Sequence, residues 1–384
     1  MLVRLTTARA SSKEGNLKIL VGISTFELDL TTPIWGAERQ GLGISRELAK
    51  RGHSVDYTNV LRGCPEWDKD FDAVYIINGG GDKGPMALTA YIARSKGIPV
   101  FASTIFSPAM QVEKEISDMM GFDESEKRGH KMTFESVLMD SAAFYSLVDH
   151  FLPNAETEFQ DVIKFMSENG YDISKVPYTV VPNAVDVEGE IIPALEELVE
   201  LPDGLKSVLK DRFILCTARV EPWKNQHRLV QAMEEIWDDD PDIQLVLLGN
   251  RGDHKYLDKM REMVMGKNIL FIDPQPPSAV LQMMRRCQCH VLPSLSEVPG
   301  LASLEAAALN KPVVITPRGS VPWYFKDYPG AFYCHPLDPH DIARALREAM
   351  DMGEAKELGE IVRRDYSYAR AAELAESAFE KEGK

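Results

Sequence analysis

The chain has 384 residues, 44% apolar and 27% charged, and carries a formal net charge of -16 at pH 7. So long a chain outgrows one ordinary hydrophobic core, so two domains are expected, and the mix is that of a globular protein, not a disordered or fibrous one. The acidic balance argues against a general affinity for nucleic acid or anionic lipid, and no apolar run approaches the roughly 20 residues that cross a bilayer.

Met1 to Gly15 lacks the apolar core of a signal sequence and reads as a polar extension ahead of the first strand. Leu17–Gly22 is a short apolar run, hence a buried strand. Glu38–Lys50 follows with apolar positions at Leu42, Ile44 and Leu48, a weakly amphipathic helix closed by Arg51-Gly52-His53. Ser54–Tyr57, Ala73–Ile77 and Ile98–Ser103 are further strands, the second running into the turn Asn78-Gly79-Gly80-Gly81. Gln111 to Asp140 is rich in Lys, Glu, Asp and Met and reads as partly exposed helices and loops. Phe151–Leu152 and Thr179–Val181 are expected as strands, and the acidic stretch from Val187 to Asp211 is the linker candidate.

A second series begins with the strand Phe213–Ala218 and the helix Gln226–Trp237, which carries Leu229, Met233 and Ile236 on one stripe. Strands follow at Gln244–Leu248, Ile269–Ile272, His290–Leu292 and Pro312–Thr316. Helices lie between and after them at Tyr256–Met265, Ser278–Arg286, Leu301–Leu309 and Ile342–Met350. Short apolar runs bounded by Gly and Pro, alternating with helical patterns, are the signature of βαβ units and parallel sheets. Two doubly wound α/β domains are expected. Ligands bind outside the carboxyl ends of such strands, here in the cleft between the facing domains.

The stretch from Pro293 to Ala306 places a buried strand, a Pro/Gly turn and a helix start beside two glutamates, Glu297 in the turn and Glu305 in the helix. A helix N-terminus gathers backbone N–H groups and the positive end of a dipole, which suits an anion. Two nearby carboxylates suit a ligand that also carries hydroxyls, as a nucleotide sugar does. Acid pairs at this spacing are common by chance, so the flanking Pro293-Ser294 and Pro299-Gly300-Leu301 carry the argument. At the end of the Phe213 strand, Arg219 and Lys224 offer a fork and a point charge for a diphosphate, against the alternative of an ordinary exposed loop. Between the first strand and the first helix lies Trp35-Gly36-Ala37-Glu38, a weak signal beside a plain turn.

Other clusters read blandly. Asn78-Gly79-Gly80-Gly81-Asp82 lacks a dinucleotide fingerprint and reads as a tight turn. Asp238-Asp239-Asp240 reads as solvated loop acids. Cys287 and Cys289 would share one face of a strand as core thiols, and no second cysteine pair accompanies them for zinc. Five scattered cysteines, the others being Cys64, Cys216 and Cys334, fit a reducing cytoplasm.

Together these residues resemble family 4 of the retaining glycosyltransferases, with the GT-B fold of two facing Rossmann-like domains. Glu297 and Glu305 match its E-x7-E motif, and Arg219 and Lys224 its R-x4-K element. Pro182-Asn183-Ala184-Val185-Asp186 is similar to its P-N-G-V-D, Trp35-Gly36-Ala37-Glu38 to its G-G-A-E, and Arg51-Gly52-His53-Ser54-Val55 to its R-G-H-x-V. The tail from Tyr366 looks like the family's last helix, which returns to the N-terminal domain. The resemblance implies an acceptor-side domain of residues 1–185 plus 366–384 and a donor-binding domain of residues 186–365.

It also implies transfer of a sugar from a nucleotide diphosphate donor to an unknown acceptor, with retention at the anomeric carbon and no metal or other cofactor. Arg219 and Lys224 would hold the diphosphate, and Glu297 would position hydroxyls of the donor sugar. Gly300 and Leu301 would offer backbone N–H groups, Glu305 would bind ribose hydroxyls, and Gly36 would let the backbone approach the phosphates. Trp35, Thr104 and Phe106 fall on the acceptor side, where Trp35 stands for a glycine and Ser103-Thr104-Ile105-Phe106 for a segment that often bears a histidine. No nucleic acid partner and no transmembrane segment are expected, and peripheral contact with a membrane stays open. Three rivals remain: an isomerase or epimerase of nucleotide sugars on the same fold, a glycoside hydrolase using the two glutamates, and a non-catalytic nucleotide-sugar-binding subunit. A hydrolase needs its carboxyls about 5–5.5 or 6.5–9.5 Å apart across the bond, which a turn-plus-helix spacing does not enforce.

Overall fold

The structure is a computed structural model that describes residues 3–4, 16–23, 36–59, 70–77, 84–106, 110–121, 140–250 and 252–382. Its described residues fall into two compact units. The first comprises those within 1–108, 123–184 and 368–384, and the second those within 109–122 and 185–367.

The first unit is built on six strands: β1 (Val3–Arg4), β2 (Lys18–Ile23), β3 (Ser54–Asn59), β4 (Ala73–Ile77), β5 (Val100–Ser103) and β6 (His150–Phe151). Their order is β1-β3-β2-β4-β5-β6, parallel except that β1 runs antiparallel to β3. In β2, Ile19 faces Val55 on one side and Ala73 on the other. Five of its six residues are buried, as expected of a strand covered on both faces. The helix Gly36–Lys50 covers one face together with the last helix, Tyr368–Glu382. Tyr368, Ala371, Ala372, Ala375, Ala378 and Phe379 of that last helix join Ile19, Val21, Tyr75 and Phe101 in one core. Phe101 meets Phe379 edge-on, with ring centroids 4.7 Å apart.

The second unit carries β7 (Phe213–Thr217), β8 (Gln244–Leu248), β9 (Ile269–Ile272), β10 (His290–Leu292), β11 (Val313–Ile315) and β12 (Ala331–Tyr333). The order is β12-β11-β10-β7-β8-β9, parallel throughout. This is the doubly wound order, and β7 and β10 are neighbours whose connections leave in opposite directions. Such a switch point opens a crevice at the carboxyl ends of the two strands. The second unit's two ends meet each other: Val185 N–H donates to the Tyr366 carbonyl at 2.8 Å, and Val185 bridges Ser367.

Among the described residues the expected elements are present with shifts at their ends, and four readings change; most of the Gln111–Asp140 stretch lies outside those residues. Val3–Arg4, inside the expected polar extension, pairs with Asp56 and Tyr57 at the sheet edge. Thr179–Val181 is not a strand. Its Thr179 and Val181 N–H groups do reach the Phe151 and Pro153 carbonyls, but no ladder continues from them. The linker candidate is helical in part, with a π-type turn at Val187–Ile191 and short helices at Ile192–Glu196 and Asp203–Lys206. The helices Val321–Phe325 and Lys356–Asp365, and β12 with them, went unread. Among the described residues no helix is long and apolar enough to cross a membrane.

Candidate active site

After β7 the chain makes a single 3₁₀ turn, Pro222–Lys224, before the helix Gln226–Asp239. Asn225 sits at the joint with φ +62°, a left-handed conformation that asparagine tolerates better than most residues. It is fully buried, and every group on its side chain is engaged. Its Nδ2 donates to the carbonyls of Pro293 at 2.8 Å and Pro336 at 2.6 Å, while its Oδ1 accepts from Arg228 at 2.8 Å. The loop after β7 is thereby tied to the loop after β10. A second tie runs through Trp223, whose indole N–H donates to the Ser296 carbonyl at 2.7 Å and whose own carbonyl accepts from Leu295 N–H at 2.9 Å.

These ties set Lys224 against Glu297. Lys224 Nζ lies 2.5 Å from Glu297 Oε1, and Ser294 Oγ donates to the same oxygen at 2.6 Å. The side chains are 17% and 10% exposed, so the pair is largely withdrawn from water yet reachable from the crevice. An ammonium has three N–H donors, and Glu297 takes one of them. The Glu297 backbone is pinned as well: its carbonyl accepts from Ser320 N–H at 2.9 Å, and it bridges Gly319.

Gly300, at φ +86°, caps the helix Leu301–Ala308 without a side-chain hydrogen bond. The first N–H groups of a helix have no partner within it, and its dipole is positive at that end. Leu301 opens this helix and Glu305 lies one turn inside, both half-buried. Arg219 is 46% exposed and pairs with Glu221 at 3.0 Å, while its carbonyl accepts from Gln226 Nε2 at 2.7 Å. Burial raises the Glu221 carboxyl above its usual range, against the opposing pull of Arg219 and Lys224. Thus the structure brings Lys224 and Glu297 into direct contact and turns Arg219 toward a different carboxylate. His290 lies fully buried beneath them on β10, where burial lowers its pKa to about 3 and holds it neutral.

In the first unit, Thr104 and Phe106 are both buried. The Thr104 hydroxyl donates to Glu158 Oε2 at 2.8 Å, and Phe106 N–H donates to Oε1 at 2.6 Å. Asn154 N–H adds a bond to Oε2 at 2.9 Å. Glu158 therefore shapes the turn after β5, and the Thr104 hydroxyl is spent inside the protein. Burial drives the Glu158 pKa up to about 8, although the donors from Phe106, Asn154 and Thr104 oppose it. The native state then holds a proton that the unfolded chain has released, between the ordinary value of 4.5 and about 8. Stability from this group is complete below that window and is lost as pH rises through it. The urea midpoint is expected to fall from pH 5 to pH 8, and Glu158→Gln should flatten that fall. An equal fall in the variant would remove Glu158 as its source.

Gly36 begins the helix Gly36–Lys50 and is exposed, while Trp35 and the glycine turn at residues 78–82 lie outside the described residues. Gln40 clamps Ala184 in the Pro182–Asp186 segment. Its Oε1 accepts from Ala184 N–H at 2.7 Å, and its Nε2 donates to the Ala184 carbonyl at 2.8 Å. Arg51 and His53 both reach Glu376 of the last helix, His53 Nε2 at 2.8 Å. Leu17 N–H donates to His53 Nδ1 at 3.1 Å, which leaves Nε2 to carry the ring hydrogen toward the carboxylate.

Among the described residues no group of three potential metal ligands occurs. Cys287 and Cys289 are buried free thiols, with burial pushing Cys287 up to about 12. Asp239 and Asp240 pair with Arg347 and Arg212. Sequence reasoning gave no role to Asn225 or Trp223 and named Ser294 only as a flanking residue. The one signal for Asn225 is its residue type, an asparagine directly before a helix.

Residues 200–365 match the family model described as glycosyl transferases group 1. The D-inositol 3-phosphate glycosyltransferase of Corynebacterium glutamicum (strain R) is 26% identical over 257 residues, which is 64% of this chain and 59% of that protein. The chain thus spans less than two thirds of the length of the curated relatives it first matches. The sucrose-phosphate synthase of Thermosynechococcus elongatus superposes with a TM-score of 0.69 at 14% identity, over 95% of this chain and 98% of that one. Anabaena Alr3699/HepE, solved with UDP and glucose, gives 0.66 at 14% identity, over 95% and 100%. These likenesses show the fold: an α/β chain of the GT-B class with two Rossmann-like domains.

Proposed function

We propose that this chain is a retaining glycosyltransferase that takes a sugar from a nucleotide diphosphate donor without a bound metal. The observation that carries the reading is the Lys224–Glu297 contact of 2.5 Å at the β7/β10 switch point, beside the helix that opens at Leu301. The match of residues 200–365 to the glycosyltransferase model supports it, as do the activity named for the Corynebacterium relative and the UDP and glucose bound by the Anabaena protein. In this reading residues 186–365 bind the donor, and residues 1–185 with 366–384 serve the acceptor.

The leaving diphosphate gains negative charge as the glycosidic bond breaks. Lys224 and Arg219, with the N–H groups of Gly300 and Leu301, place positive charge where that develops, the role a divalent ion plays elsewhere. Glu297 holds the Lys224 ammonium in place before the donor arrives and accepts hydrogen bonds from sugar hydroxyls afterwards. Glu305 receives the ribose. Gly36 is assigned to the donor's phosphates, and Trp35, Thr104 and Phe106 belong to the acceptor side, Thr104 and Phe106 as shape-givers through Glu158.

Screening UDP, GDP and ADP and their glucose conjugates by thermal shift tests the reading. At 100 times its Kd a ligand adds about 2.7 kcal/mol, which raises the Tm of a cooperative unit the size of the donor-binding half by roughly 5–10 °C. One of the bases is expected to do so, with turnover that survives EDTA. No shift from any of the six compounds would sink the assignment, and turnover abolished by EDTA would sink its metal-free form.

A further inference from the structure

The helix Met110–Met120 precedes β6 in the chain, yet it packs in the second unit. Met119 and Met120 lie on that unit's core, and Lys259 Nζ donates to the Met119 carbonyl at 3.2 Å. The helix also lies against the 3₁₀ turn that carries Lys224. From its middle, Glu115 pairs with Arg318 at 2.7 Å, with the two side chains 16% and 24% exposed. Arg318 follows β11 immediately before Gly319, the residue bridged to Glu297, and its Nη1 reaches the Leu295 carbonyl at 3.5 Å. Leu295 N–H in turn donates to the Trp223 carbonyl, one residue before Lys224. A continuous run of contacts therefore leads from Glu115 through Arg318 and the β10 loop to Lys224.

We propose that Glu115 and Arg318 form a positioning pair that fixes the spacing of the Lys224 and Glu297 loops, with the helix Met110–Met120 as its brace. Neither residue touches the ammonium or the Glu297 carboxylate. They act by holding Arg318 where one guanidinium spans the brace and the β10 loop. Both acceptors meet one nitrogen, Nη1, whose two hydrogens point in fixed directions within the guanidinium plane, whereas a lysine ammonium turns freely. The pair is mostly withdrawn from water, so breaking it is felt more than the loss of a surface ion pair. The role concerns the loops themselves. Its link to catalysis rests on the proposed donor site.

Hydrogen exchange of the ligand-free chain tests the pair, using Glu115→Gln, Arg318→Gln, the double variant and the swap Glu115→Arg with Arg318→Glu. Amides of residues 223–226 and 295–297 are expected to exchange about tenfold faster in each single variant, and no faster than that in the double, because the two residues act as one unit. The swap should restore much of the protection, a rescue that simple loss of packing does not give. Where a nucleotide sugar turns over, its KM is expected to rise several-fold in the single variants. Unchanged exchange in those stretches overturns the proposal. So does acceleration of β8 to the same degree, which marks general destabilisation, and so does additive loss in the double variant. A chain that binds no nucleoside diphosphate but shows the local pattern supports the pair and defeats the proposed function alone.

Discussion

Lys224→Ala is expected to lower turnover of the nucleotide sugar roughly 10²- to 10³-fold, the usual loss when one preorganised donor to a developing negative charge is removed. Glu297→Gln should fall by a similar order, because Glu297 orients the ammonium and is placed to meet the sugar. The single lysine variant carries a complication. Glu297 is 10% exposed and would keep only Ser294 as a partner, so an unpaired carboxylate also costs about 1–3 kcal/mol of stability. The double variant Lys224→Ala/Glu297→Gln separates the two effects. Its melting temperature should recover part of the loss while turnover stays low. Rates within about threefold of the parent in both single variants would remove these residues from the proposed site.

Gly319→Ala should be among the most damaging substitutions a single methyl group can produce here. Gly319 sits at φ +75°, and a Cβ there would lie 2.2 Å from the Glu297 carbonyl oxygen and 2.8 Å from Ser296 Oγ. The first neighbour is backbone, so the turn itself must shift. Gly266 provides a matched control with the same φ of +75° and nothing within 4 Å of the added carbon. Gly266→Ala should cost about 1 kcal/mol, the strain of left-handed backbone alone. Gly319→Ala should cost about 2–4 kcal/mol and weaken donor binding by disturbing Glu297. Urea titration of the two variants decides it, and equal midpoints would show that the close approach to Glu297 is not sustained.

Much of the second unit was legible because its strands are short apolar runs between Gly and Pro, and four-residue windows such as Ile269–Ile272 admit few other readings. β12 escaped because Ala331–Tyr333 is only partly buried at a sheet edge and carries no distinct run. β1 escaped because two residues are too few for a pattern. Thr179–Val181 misled because an extended, hydrogen-bonded segment has strand composition without strand partners on both sides. At the site, Lys224 and Glu297 were readable as candidates from residue type and place. Their mutual contact was not, because 73 residues separate them and only the strand order makes them neighbours. Arg219 was read as an equal partner of Lys224, and nothing in the sequence marks Glu221 as its ion-pair partner. Glu115 and Arg318 were invisible for the same reason, a contact across 203 positions with no motif to announce it.

The larger segment of the second unit, residues 185–367, has its two ends hydrogen-bonded side by side and interrupts the first unit between Ala184 and Tyr368. The helix Tyr368–Glu382 that completes the first unit's core is therefore synthesised only after the whole of that segment. At about 5–20 residues per second, the face bearing Tyr75 and Phe101 waits roughly 15–60 s for its covering Phe379. During that interval the nascent first unit presents a sheet face that the helix Gly36–Lys50 covers only in part. Chaperone demand in the cell should thus track the first unit, and shortening the intervening segment should relieve it.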